Sequence, residues 1–377
     1  MANDFDERGL SRRSVLLGGS AIALAGVAGL PQAGGSAARA QDEWEAVVKA
    51  AEDEGEVNVQ GPVNEKYRQS IERFGDAYPK IKLSYTPTSG DDFEARYTAE
   101  RRANQYLSDF FIGGVGGSVF TDQVPGGWYS PLRPLIVRPD VLDDSKWLGG
   151  FEAGFLDGYG VHIYTFQADQ QNNFLIDRNV IPQSELESLE GLFDPKWKGK
   201  IASLDPRISG DQSLTLIFHL FGEDGLRRFL VEQKPVLTRN RRQLQEWAVR
   251  SAYPITLGVG PSELAQWQAE GLGKSLKRIS LAPEQTPWSP GYAGIALLRN
   301  VPHPNAAKVF INWLLSKDAQ EDWAKRGFVN SRRLDVPKGL PENAVSEEGF
   351  RNGFTFNSAK LAAEPKRAFE IATAVLG

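Results

Sequence analysis

The sequence predicts an α/β protein built as two lobes joined by a hinge, and three observations carry that prediction. Short strands alternate with helices along most of the chain, the grammar of right-handed βαβ units and a parallel sheet. Setting aside an N-terminal segment of 40 residues leaves 337 of 377, too many for one small domain and suited to two. The clearest amphipathic helix comes late, in VPHPNAAKVFINWLLSKDAQ, residues 301–320. There Ala307, Phe310, Ile311, Leu314 and Leu315 recur at helical spacing, with Lys308 and Lys317 outside. Such a face needs a preformed sheet to cover, so the chain is expected to return to the lobe it began. The expected layout is 42–160 plus 293–335 for lobe 1 and 161–292 for lobe 2, with hinge crossings near 161–173 and 288–292. A tail, 336–377, is expected to pack on one lobe.

The first 40 residues read as an export signal. Arg12-Arg13 precede an uncharged run from Ser14 to Ala38, and Ala38-Arg39-Ala40 supplies small residues for cleavage after Ala40. Twin-arginine export to the periplasm is the expectation. The run is rich in Gly and Ala, contains Pro31, and is weak for a span of about 20 strongly apolar residues.

The elements follow in order. Trp44, Val47, Val48 and Ala51 mark one face of a helix over 42–54, stopped by Gly55. Strands are expected over 56–61, 81–86 and 108–113, with helices over 65–77 and 92–106 between them. The middle repeats the pattern, with strands near 174–176, 200–204, 235–238 and 253–258. Helices over 213–221, 225–232, 242–250 and 262–270 alternate with these, and 292–298 is one more apolar strand before the late helix.

Composition narrows the function classes. The signal carries four arginines and three acids, so 39 basic and 45 acidic residues remain, a net charge of −6. An acidic chain without basic tracts fits neither nucleic acid nor an anionic membrane. No cysteine is present, which excludes disulfides, thiolate catalysis, Cys-ligated zinc and iron–sulfur clusters.

Pro302-His303-Pro304-Asn305-Ala306-Ala307-Lys308 followed by Phe310-Ile311-Asn312-Trp313-Leu314-Leu315-Ser316 resembles the late helix of extracellular solute-binding proteins of ABC importers, the iron(III)-binding type most closely. Pro195-Lys196-Trp197-Lys198-Gly199-Lys200-Ile201 leading to Asp205-Pro206, Tyr253-Pro254-Ile255-Thr256-Leu257-Gly258, and Gly327-Phe328-Val329-Asn330-Ser331-Arg332 are similar to further parts of that family. The resemblance covers most of 42–335. It implies a type II periplasmic-binding-protein fold, with two α/β lobes closing on a small solute and an inner-membrane ABC permease as partner. A monomer with no cofactor and no enzymatic activity is expected. Iron-binding members place adjacent tyrosines just beyond the strand corresponding to 253–258. Here Val259-Gly260-Pro261-Ser262-Glu263 has none, so an organic or oxyanionic solute is expected, with ferric iron or an iron chelate as the alternative.

Ligand contacts are expected at strand ends, where helix N-termini offer free amides. Asn64, after the first strand, is either at the ligand mouth or an ordinary helix cap. Gly114 and Gly116, in a glycine run after a buried strand, let backbone approach a bound group, or simply give a flexible link. Ser209, Gly210 and Gln212 open a helix whose positive end faces the cleft; the alternative is a cap facing water. Arg239 offers a bidentate anion contact or a solvated charge. Ser262 starts another helix. Trp288 and Tyr292 flank Pro290-Gly291 and either cover a ligand or pack the hinge. His162, His219 and His303 are isolated, His219 reading as core-side, and no metal-ligand spacing or G-x-S-x-G is present. An exported enzyme is the second alternative.

Overall fold

The computed structural model describes residues 34–207 and 212–377. The expected signal lies outside the described residues except for 34–40, which begin a helix longer than the one expected from residue 42. Residues 45–377 form one compact unit, and both large sheets lie in it.

Helix α1 (Gly34–Glu54) leads to strand β1 (Glu56–Gly61) across Gly55, whose positive φ of 73° ends the helix. Helices α2 (Glu65–Glu72) and α3 (Phe74–Ala77), strand β2 (Lys82–Pro87), helix α4 (Gly90–Arg102) and strand β3 (Phe110–Gly113) follow. After the short α5 (Pro139–Leu142) come β4 (Ile163–Thr165) and β5 (Asp169–Gln170). The middle section runs β6 (Phe174–Asp177), β7 (Ile201–Leu204), α6 (Ser213–Arg228), β8 (Val236–Thr238), α7 (Arg241–Val249), β9 (Ile255–Leu257), α8 (Pro261–Ala269) and β10 (Leu276–Arg278). The chain ends with β11 (Trp288–Ser289), β12 (Gly294–Leu297), α9 (Pro304–Leu314), α10 (Lys317–Gly327), α11 (Glu347–Asn352) and α12 (Glu364–Leu376).

The first sheet has the order β2-β1-β3-β12-β4 and the second β10-β6-β9-β7-β8, one sheet for each lobe. Strands β5 and β11 pair antiparallel between them and form the hinge. Neither sheet is parallel throughout, as the alternation of elements had suggested. Pairing is parallel from β1 to β2 and β3, but β12 runs antiparallel to β3 and β4, with Gly294 opposite Gly113. The reason is the hinge: a chain re-entering at the edge where β3 ends can only run back along it. Strand β4, expected with the middle segment, also belongs to the first sheet.

The late apolar helix covers that first sheet. Phe310 of α9 meets Phe74 and Phe110 at centroid distances of 5.3 and 5.2 Å, and a buried ring of this kind contributes roughly 2–3 kcal/mol. Its first turn is held by the Glu54 carboxylate, which accepts from the backbone N–H groups of Asn305 (3.1 Å) and Ala306 (2.8 Å), a negative charge on the positive helix end. The expected single helix over 301–320 breaks after Leu315, because the Ser316 hydroxyl accepts from Ala319 N–H and starts α10.

The tail packs on both lobes rather than on one. Val345 and Ala362 join the core beneath the first sheet, whereas Phe356, Ala368, Ile371 and Ala372 are buried with Phe174, Ile176 and Ile217 of the second lobe. His219 belongs to this seam. It is only partly buried, its Nδ1 lies 2.8 Å from Glu364 Oε2, and its ring lies 4.2 Å from that of Phe354, so it ties α6 to the start of α12.

Candidate functional site

Two cavities lie along the hinge, and Tyr292 lines both. Gly61 and Gly113 close strands β1 and β3 beside them, so the site occupies the strand-end position that open α/β sheets favour.

The first cavity, of about 460 Å³, is bounded by the 114–117 loop, Gln171 and Ser289 of the hinge, Gln212 with the first turn of α6, and Asn357 and Phe369 of the tail. Among the described residues, none of its lining side chains is a carboxylate, ammonium or guanidinium. Gly114 and Gly116 are exposed. A Cβ on Gly116 would meet nothing within 4 Å, and one on Gly114 only the Gly291 carbonyl oxygen at 3.8 Å, so both positions open onto space. Gly117 is different: its Cβ would fall 2.6 Å from the Ala362 carbonyl oxygen, and glycine there lets the tail approach. Asn357 donates from Nδ2 to the Val115 carbonyl at 2.5 Å. Its Oδ1, with Oε1 of Gln171 and of Gln212, is buried without a hydrogen-bond partner. An unsatisfied buried acceptor costs roughly 1–3 kcal/mol.

The second cavity, of about 800 Å³, is charged: Lys66, Glu263, Glu270 and Glu342 line it with Asn64, Tyr67, Ser262 and Phe328. Asn64 caps α2, its side-chain oxygen accepting from Lys66 N–H at 2.9 Å. Glu263 accepts from Gly260 N–H at 2.7 Å and closes the start of α8. The Ser262 hydroxyl reaches the Phe328 carbonyl at 3.5 Å, a contact between the lobes at the cavity rim. Tyr67 stacks on Trp323 at 4.5 Å and lies 5.6 Å from Tyr292. Burial pushes the Tyr67 phenol well above its usual range, so it holds its proton.

Behind this wall sits Asp169 of β5, buried and accepting from Gln167 Nε2 (2.7 Å), Asn330 Nδ2 (2.8 Å) and Asn330 N–H (3.1 Å). Burial outweighs those donors and raises its carboxyl to about 7. Gln167 in turn accepts from Trp323 Nε1 at 3.0 Å. A Cβ on Gly291, whose φ is +54°, would lie 2.3 Å from Gln167 Nε2, so the second crossing requires glycine there.

Of the residues expected from sequence, Gly114, Gly116, Gln212 and Tyr292 line the uncharged cavity, and Asn64, Ser262 and Tyr292 the charged one. Ser209 and Gly210 lie outside the described residues. Arg239 and Trp288 line neither. Arg239 is turned to Asp205, Nε to Oδ2 at 3.0 Å, and Asp205 also takes both Nε and Nη2 of Arg207 at 2.7 Å. Those two arginines, Arg207 first, hold the Asp205 carboxyl well below the usual range. Trp288 is 5 % exposed and stacks on Phe350 at 4.8 Å, because a large ring at the hinge is worth more buried than facing a cleft. Sequence reasoning missed Gln171, Asn357, Phe369 and Tyr67. The run Gln170-Gln171-Asn172-Asn173 between two apolar stretches was the available signal for Gln171. Among the described residues no three His, Asp or Glu side chains converge as a metal-ligand set. Of the tyrosines outside the expected pair position, Tyr85 donates to the Pro62 carbonyl at 2.6 Å and Tyr129 to Gln123.

Residues 167–329 match the family model for bacterial extracellular solute-binding proteins. An uncharacterized protein of Haemophilus influenzae is 22% identical over 259 residues, 67% of this chain and 70% of its own. Among solved structures, the Trichodesmium protein IdiA (FutA) in complex with iron and citrate superposes with a TM-score of 0.65 at 18% identity, over 85% of this chain and 99% of that one. The periplasmic binding protein AfuA of Actinobacillus pleuropneumoniae, with fructose-6-phosphate bound, gives 0.54 at 18% identity over 84% and 97%. The chain therefore has the two-lobe fold of periplasmic binding proteins.

Proposed function

We propose that the chain is the extracytoplasmic solute-binding component of an ABC importer, capturing a small organic or oxyanionic solute between its lobes and delivering it to a membrane permease. The observation that carries this reading is the pair of cavities astride a two-stranded hinge, lined from both lobes at once. The family match over 167–329, which includes the first crossing and most of the second lobe, supports it. On this reading the protein acts in the periplasm as a monomer after twin-arginine export and turns nothing over. Its histidines fit that role, since His162 and His303 each lean on a buried carboxylate, Asp157 and Asp109, in lobe 1.

Calorimetry against a metabolite panel tests the proposal. The expected result is stoichiometric binding, a melting temperature that rises with ligand concentration, and recovery of the ligand unchanged. Recovery of a converted compound would overturn it in favour of an exported enzyme.

A second reading, a ferric chelate in the charged cavity, is favoured by one observation: Tyr67 and Tyr292 face each other there. Ferric ion favours several anionic oxygens, and among the described residues no group of three His, Asp or Glu side chains converges to supply them. The first reading expects no visible charge-transfer band with ferric citrate. A stable coloured complex, lost in Tyr292→Phe, would establish the second.

A further inference from the structure

Apart from the two hinge strands, the tail also passes between the lobes, and it grips them unequally. Beside the hinge, the Phe354 carbonyl accepts from Trp288 N–H at 2.8 Å, and Phe356 is then buried in the second lobe. Residues 357–362 reach across to lobe 1. Asn357 Nδ2 donates to the Val115 carbonyl at 2.5 Å and Ala359 N–H to the Leu156 carbonyl at 3.0 Å. Ala362 is buried in the lobe 1 core, while Leu361 packs toward the second lobe. From Glu364 the chain continues as α12, and its hold on the second lobe is much larger. Ala368, Ile371 and Ala372 are buried with Leu214 and Ile217 of α6. Glu364, Arg367 and the Gly377 backbone oxygen reach His219, Glu223 and Arg207 at 2.8, 2.7 and 2.6 Å.

This crossing lies alongside the first cavity, which fixes what a widening of that cavity must break. The 114–117 loop forms its lobe 1 wall, and Gln212, Leu214 and Thr215 at the start of α6 face it with Ala368 and Phe369 of α12. Separating the walls carries Val115 and Gly117 away from α6 and from everything packed on α6. Residues 357–362 cannot follow both. Two hydrogen bonds and one buried alanine yield before a helix whose apolar face is in the core. Gly117 shows how close the lobe 1 attachment is. A Cβ there would lie 2.6 Å from the Ala362 carbonyl oxygen, so glycine is what lets the segment seat.

We infer that residues 357–362 are a releasable latch. Seated on Val115, Leu156 and Gly117 they hold the lobes together, and the cleft opens when they leave lobe 1 while α12 stays on lobe 2. The solute-binding reading requires the lobes to move; the latch adds the part that restrains them. Two neutral hydrogen bonds bias the latched arrangement by roughly ten- to a hundredfold, a preference that a bound solute or a single substitution can reverse.

The test needs no solute. Asn357→Asp sets a carboxylate against the Val115 carbonyl, and Gly117→Val drives a side chain into the Ala362 carbonyl; each should unseat the segment. In the full chain, amides of 357–362 should then exchange with deuterium at least about tenfold faster, those of α12 should keep their rate, and the radius of gyration from small-angle scattering should rise. A lock supplies the reverse experiment. The chain has no cysteine, and a Cβ on Gly158 would lie 3.9 Å from that of Ala359, within the span of a disulfide. Gly158→Cys with Ala359→Cys, added to Asn357→Asp and oxidised, should return both readouts to those of the natural protein, and reduction should release them again. Unchanged exchange in both unseating variants would mean the segment is fixed and overturn the latch. Faster exchange at an unchanged radius, or a raised radius that oxidation does not reverse, would overturn it equally. A metabolite panel without a ligand would count against the solute-binding reading and leave these results standing.

Discussion

The two cavities share one wall residue, Tyr292, yet they are built from opposite materials. Among the described residues, one is lined by amides, glycines and aromatic rings with no charged side chain, and the other carries Lys66, Glu263, Glu270 and Glu342. In the charged cavity several polar groups are already employed. Asn64 and Glu263 satisfy helix N-termini, and Lys66 lies 4.6 Å over the Phe328 ring. At the other, the side-chain oxygens of Gln171, Gln212 and Asn357 are buried with no hydrogen-bond partner among the described residues. The difference teaches that charge at a cleft is not by itself free binding capacity, because satisfied groups gain little from a new partner.

The largest expected effect falls on the wall that only the uncharged cavity has. Ile371 of α12 is 1 % exposed in the second lobe's core, and Ile371→Ala should cost about 3 kcal/mol through lost contacts and an unfilled cavity. Because α12 also carries Phe369, solute affinity should fall with it, while the charged cavity keeps its shape. Chemical denaturation together with calorimetry reads both quantities. Full stability in the variant, or solute affinity left unchanged, would break the proposed division of labour.

A smaller effect, pH-dependent, belongs to the charged side. Asp169 lies behind Tyr67 and Leu340, with its carboxyl raised to about 7 by burial. A raised folded-state value means the neutral acid is the stabilised form. Its contribution is therefore complete below pH about 4 and is lost as pH rises through 7. Asp169→Asn cannot ionise, although its amide meets the Gln167 donor and costs something at every pH. The variant's melting temperature relative to the natural protein should thus improve steadily between pH 4.5 and 7.5. A constant gap across that range would mean Asp169 is ionised throughout.

How much of this was legible in the sequence follows the same division. The strands that alternate cleanly were placed closely, β1 over Glu56–Gly61 above all, and the loop after β3 lines one of the two cavities. Strands β5 and β11 are two residues each, too short for any period to register, yet they make the hinge. The antiparallel return of β12 is set by where the hinge lies, which no local pattern states. Arg239 looked available because its partner, Asp205, stands 34 residues earlier. Asn357 and Phe369 lie in a tail without a strong element before α12, and only packing brings them to the Gly114–Gly117 loop. Part of the charged cavity is made of the starts of α2 and α8, which sequence announces through caps. The uncharged one is made of residues from distant segments, which it does not.

The smallest expected effect sharpens that last distinction at Asn64. Its side chain accepts from Lys66 N–H and starts α2, so Asn64→Ala should lower stability by about 1 kcal/mol, the usual cost of a lost cap. Asn64→Asp restores an acceptor at the helix N-terminus and should recover most of that loss. Solute affinity should be unmoved in both variants, since Asn64 lines the charged cavity alone and its oxygen is taken. A ligand contact would behave otherwise: the carboxylate could accept but not donate, so Asn64→Asp would rescue the helix and still lose the solute. Denaturation and calorimetry on the same two variants separate these outcomes. If affinity collapses in Asn64→Asp while stability is recovered, the solute lies on the charged side of Tyr292.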